Sequence, residues 1–134
     1  DFWADADIIH TYTRAQALAD GALVAVDDKT AREAGFLIPV ALTRAAWEDC
    51  VTWTDEDEKR KRALQDEAGR LWDVLWMASL AARRHRGIDR IAFQVLRVPR
   101  DGRGVKPRLA HLILHIGPGD TAEPVVTIMT PLDA

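Results

Sequence analysis

The sequence predicts an α+β fold: a small N-terminal helical lobe with short strands, one long central helix, and a C-terminal three-stranded antiparallel meander. Three observations carry that expectation. Threonine-started units of helix length fill residues 13–50, residues 54–85 show helical charge and apolar patterning, and strand-like alternation with turn residues takes over from Gly87.

The elements follow in order. DFWADADIIHTY, residues 1–12, reads as an extended lead-in. Thr13 and Gln16 have capping-box spacing and Gly21 supplies a stop, so 14–20 is a helix. ALVAV, 22–26, is a short strand. In DDKTAREAG, Thr30 reads as the cap, with Glu33 three positions on and Gly35 as the stop. FLIPVAL, 36–42, is extended, and Pro39 argues against a central ladder position. Thr43 caps a third helix, RAAWEDCV.

TDEDEKRKR, 54–62, opens the main helix. Acids precede bases, which suits the helix dipole and pairs such as Glu58 with Arg62, and the run reads as a solvated face. Further on, Leu64, Ala68, Leu71, Leu75, Ala78 and Ala82 form one stripe, while Met77 and Leu80 make the later back face apolar as well. A helix apolar nearly all round is normally buried all round. One helix over 58–85 would span ~42 Å, against roughly 36 Å for the diameter of a domain this size. It must therefore protrude, break, with Gly69 as the weak point, or lean on a second subunit. Arg70 and Asp73, one turn apart, read as a solvent-face ion pair.

After the helix, IDRIAFQVLR, RLAHLILHIG and EPVVTIMTP read as three strands. Gly102 and Gly104 lie in the first connecting loop and GPGD forms the second.

Composition bounds function more than it names it. The 134 residues read as a single domain over 1–134, 48% hydrophobic and 29% charged, with net charge −3. The acidic balance argues against bulk binding to nucleic acid or anionic membrane. Cys50 is the only cysteine, which fits a cytoplasmic protein. The longest apolar run, 74–82, is far short of the ~20 residues of a membrane span, and the acidic first ten residues do not resemble a secretory signal.

No motif for catalysis stands out. Ser79, the only serine, lacks the Gly-x-Ser-x-Gly elbow. Cys50 reads as a buried small residue. His111 and His115 share one strand face, ~13 Å apart by the strand rise, too far for one metal ion. His10 has no local partner, and His85 ends the long helix as a dipole-matched group. GRG and GPG are turns without phosphate-loop spacing. No catalytic residue, metal or cofactor is expected.

Five segments, IIHTYTRAQALADGALVAV, AREAGFLIPVALTRAAWEDCVTW, DEAGRLWDVLWMA, VPRDGRGVKPRLAHL and GPGDTAEPVVTIMTP, occur in order along nearly the whole chain. Together they resemble a bacterial family of unknown function carried on plasmids, integrative conjugative elements and phages. The resemblance implies a cytosolic, single-domain accessory protein of a mobile element, and it implies no catalytic residue. RLWDVLWMASLAARRH is its most characteristic stretch, and the two strand histidines stand outside its pattern.

The leading expectation is a non-enzymatic binding protein, an inhibitor of a host defence complex of the anti-CRISPR or anti-restriction type. Its interface candidates are Trp72, Trp76, Met77, Leu80, Arg83, Arg84, Arg86 and Arg90, with self-association through 70–85 as a related expectation. One alternative is a small hydrolase-like enzyme with a pocket between sheet and long helix, using Arg70, Asp73 and His111. Another is a nucleic-acid binder using Arg83, Arg84, Arg86 and Arg90 with Arg100, Arg103, Lys106 and Arg108.

Overall fold

The structure, a computed structural model, describes residues 12–133. The extended reading of 1–12 and the placement of His10 fall almost wholly outside the described residues. The elements in chain order are α1 (Arg14–Asp20), β1 (Leu23–Ala25), α2 (Asp28–Ala34), β2 (Val40–Thr43), α3 (Arg44–Cys50), α4 (Asp55–Lys61), α5 (Glu67–Arg84), β3 (Arg90–Arg97), β4 (Arg108–Pro118) and β5 (Pro124–Met129).

The helix starts follow local chemistry. Thr13 and Gln16 close a capping box on α1, and Thr43 caps α3. For α2 the expected cap is corrected: Asp27, not Thr30, accepts from the Thr30 amide. A carboxylate one turn earlier is the better acceptor for the orphan N–H groups. Gly35 ends α2 at φ +108°, and a Cβ there would lie 2.8 Å from Arg83 Nη2 and 2.9 Å from Ser79 Oγ. Glycine thus lets the end of α2 abut α5.

The single long helix is also corrected. It breaks at 62–66, and Gly69 lies inside α5 rather than at the break. Arg62 sits in the left-handed region at φ 53° and its amide closes on Glu58 O, while Asp66 caps α5. The expected Glu58–Arg62 pair is replaced by Asp57 with Arg60 and Arg100. Nor is the 54–62 run wholly solvated, since Asp57 and Lys61 are buried. Lys61 Nζ donates to Asp101 O (2.8 Å) and Gly104 O (2.5 Å), and Arg60 donates to Arg100 O. Together these bonds hold the β3–β4 loop against α4.

β3, β4 and β5 form the expected antiparallel meander, but it is part of a five-stranded mixed sheet ordered β1-β2-β5-β4-β3. β2 pairs β5 in parallel and β1 antiparallel, so the strand after Pro39 is central. Proline is compatible with this because it lies just before the strand and uses only its carbonyl, which accepts from Val126 N at 2.8 Å.

One sheet face carries the core. Ile91, Phe93 and Val95 of β3 and Leu112 and Leu114 of β4 pack with Val126, Ile128 and Leu42 under Val74, Leu75 and Ala78 of α5. On the other face, α1 is tied down by Arg14, which donates to Thr127 Oγ1 (2.7 Å) and Val126 O (2.9 Å).

Candidate functional site

The core stripe of α5 leaves a second row only partly covered. Asp73, Met77, Leu80 and Arg84 follow one another at spacings of four, three and four, so they line one side of the helix. Met77 and Trp76 are 38% and 40% exposed, unusual for large apolar groups on the central helix of a small core. The all-round apolar pattern therefore does not end in all-round burial.

That row runs beside β3, an edge strand. Among the described residues, no strand pairs with its far side. Ile116 N–H donates to Asp89 O at 2.8 Å, which marks 89–116 as a bonded pair. Bonded pairs alternate along an antiparallel ladder, so Ile91, Phe93 and Val95 also turn their main chain to β4. Ala92, Gln94 and Leu96 consequently point their N–H and C=O groups to the free edge.

Between row and edge lie two adjoining cavities. One, about 710 Å³, is lined by Met77, Leu80, Arg84, Ala92, Gln94 and their neighbours. The other, about 400 Å³, is lined by Asp73, Trp76, Met77, Gln94, Leu96 and Leu109. Met77 and Gln94 border both, so the two form one groove along the strand edge. Leu96 and Leu109 face each other across the β3–β4 ladder and stand more than half exposed at one end of it.

The interface candidates divide accordingly. Trp76, Met77, Leu80 and Arg84 border the groove. Trp72 packs against the core and stacks on Trp76 with ring centroids 6.0 Å apart. Arg83 lies over the Trp76 ring at 5.9 Å and against Gly35. Arg86 and Arg90 are exposed beyond the helix end. The loop bases are not equally available: Arg100 is held by Asp57 (2.8 Å) and Glu48 (3.2 Å).

Arg70 and Asp73 do not form the surface pair expected of them. Arg70 is buried at 4% exposure, because the broken helix lets α3 and the β3–β4 loop close over it. Its guanidinium donates to Val98 O (2.9 Å), Val51 O (3.1 Å), Asp49 O (3.3 Å) and Gln65 Oε1 (3.3 Å), and stacks on Trp53. Burial lowers its pKa from the ordinary value, and no carboxylate pairs with it among the described residues. This cation ties the end of α3 to the loop after β3 and has its donors engaged by carbonyls. Asp73 stays exposed on the groove side.

His111 stands apart from Arg70. It is exposed on β4, opposite Gln94, with Nδ1 3.3 Å from the Gln94 amide. The three residues weighed as a catalytic set therefore do not meet in one cavity. Cys50 is fully buried, and burial followed by the neighbouring Asp49 charge pushes its thiol up to about 12. Such a thiol stays protonated and is a poor nucleophile at neutral pH. His111 and His115 lie on β4, and no group of three or more metal-ligating side chains occurs among the described residues.

Sequence reasoning named the helix side of the groove and missed its strand side: Ala92, Gln94, Leu96 and Leu109. The available signal was RIAFQVLR, a strand with no lysine or proline to discourage edge pairing.

Comparison with known families returns a match over residues 1–134 to a family of unknown function, DUF6573. The chain belongs to that family. The resemblance to an uncharacterised family is thus established, and the family description assigns no activity. No curated protein and no solved structure matches the chain. Among the described residues, no helix of this DUF6573 member is long and apolar enough to cross a membrane.

Proposed function

We propose that the chain is a non-enzymatic protein-binding module that docks another polypeptide along the free edge of β3, in the groove beside α5. One observation carries the reading: an uninterrupted eight-residue edge strand lies next to a helix face on which Trp76 and Met77 are exposed and Leu80 is half-buried. Native proteins blunt such edges with lysine, proline, bulges or covering elements. Here the one-to-one register from Arg90↔His115 to Arg97↔Arg108 contains no bulge, and the strand has neither lysine nor proline. Strand addition draws affinity from main-chain hydrogen bonds and selectivity from adjacent side-chain pockets, which the groove supplies. The accessory role on mobile elements, and a host defence complex as target, belong to this proposal and rest on the sequence resemblance alone.

The test is capture of bacterial proteins by the purified chain beside its Gln94→Pro variant, with each recovered protein then titrated as a pure component. Proline at an outward-facing edge position removes one docking N–H and leaves the β3–β4 ladder intact. A partner that binds the parent at least tenfold more tightly than the folded variant supports the module. Partners that bind both equally refute this edge as the docking surface.

A further inference from the structure

The groove has a property that selects its occupant. The α5 row runs acid, apolar, apolar, base, so read from its other end it is its own charge complement. Asp73, Met77, Leu80 and Arg84 are spaced four, three, four, so a second α5 laid antiparallel matches Asp73 with Arg84, and Met77 with Leu80, twice over. The edge of β3 is self-complementary as well. A two-fold axis at Gln94 sets Ala92 opposite the partner's Leu96 and Gln94 opposite the partner's Gln94. Arg90 then falls opposite the partner's Val98 and Arg97 opposite the partner's Ile91, so no like charges face across the new ladder.

The two centres lie beside the same groove. Met77 and Gln94 border both cavities, and the midpoint of the helix row lies only ~2 Å along α5 from Met77. An isologous interface requires that agreement, because one rotation must satisfy strand and helix at once.

We infer that the occupant of this groove is a second copy of the chain. The two β3 strands pair antiparallel about Gln94 into a continuous ten-stranded sheet, and the two α5 rows close over it. This rests on the reading of the groove as a protein-docking surface and names the partner. Within one chain, Asp73 and Arg84 are separated by roughly 16 Å of helix and make no ion pair among the described residues. Their complementarity is unused within one chain and is satisfied when two copies lie antiparallel.

Analytical ultracentrifugation from 1 to 100 µM tests this with the full chain. The parent is expected to sediment as a dimer, and Gln94→Pro as a monomer with unchanged circular dichroism. Asp73→Arg and Arg84→Asp are each expected to weaken the dimer at least tenfold. Both positions are exposed, so neither change disturbs the core. Mixing these two singly inverted variants is the discriminating step, since opposite charges then meet at both ends and a heterodimer should form. A parent that is monomeric at 100 µM overturns the inference, as does a dimer indifferent to charge inversion or a mixture that does not recover. If the parent is a monomer yet Gln94→Pro still abolishes binding of another protein, self-pairing fails while the docking reading stands. If that binding is also unaffected, both fail.

Discussion

Replacing Arg70 by methionine keeps much of the side-chain volume and the contact with Trp53, but removes every donor. The carbonyls of Asp49, Val51 and Val98 then lose their shared partner beneath the surface. Leaving a buried acceptor unsatisfied costs ~1–3 kcal/mol. Three such losses are not additive, because the loop can shift to admit water and the cost of burying the cation disappears. The net expectation is a destabilisation of about 3 kcal/mol, a large fraction of the 5–15 kcal/mol typical of a domain. Urea unfolding followed by tryptophan fluorescence reads it directly, since Trp53 sits 4.9 Å from the guanidinium carbon. Glu33→Ala, exposed on α2 and away from the groove, is the control and should change stability by less than ~0.5 kcal/mol, as an exposed surface substitution does. A methionine variant within ~0.5 kcal/mol of the parent would refute the view that these carbonyls depend on one cation.

Other expectations concern the groups around it. Cys50 should resist alkylation at pH 8 in the folded chain and react at once in denaturant, as mass spectrometry would show; rapid native labelling would contradict its burial. Burial pushes the Asp57 carboxyl up, but hydrogen bonds from the Thr54 amide and hydroxyl and from Arg100 outweigh it, leaving the pKa below its ordinary value. A depressed carboxylate pKa contributes stability that is complete above the unfolded value and fades as pH falls through the folded one. Asp57→Asn should therefore lower the melting temperature at pH 7 and flatten its decline below about pH 4. Arg62→Gly should stabilise the chain by about 0.5–1 kcal/mol, because glycine adopts the left-handed cap without Cβ strain; a loss of stability would mean that the break is held by the arginine side chain.

The sequence by itself determined most of the local elements and several of their ends. Thr13, Thr43, Gly21 and Gly35 act within a few residues of themselves, and an element whose stop is local can be read locally. It also determined the meander, because short turns leave consecutive strands little choice but to pair. The apolar back of α5, with Met77 and Leu80, was legible as a question about burial, and RLWDVLWMASLAARRH does mark one wall of the groove. Tertiary structure decided the rest. No local signal says that β2 joins β5 in parallel, a contact between strands some eighty residues apart. Nor does the (i, i+3) spacing of Arg70 and Asp73 tell that one is buried and the other exposed. Arg70 takes its partners from α3 and from the loop after β3, and the break at Arg62 brings those segments over it. The free edge is likewise a property of strand order. RIAFQVLR carries the same residues whether it lies at the centre of a sheet or at its margin, and only the assembled sheet leaves Ala92, Gln94 and Leu96 facing outward.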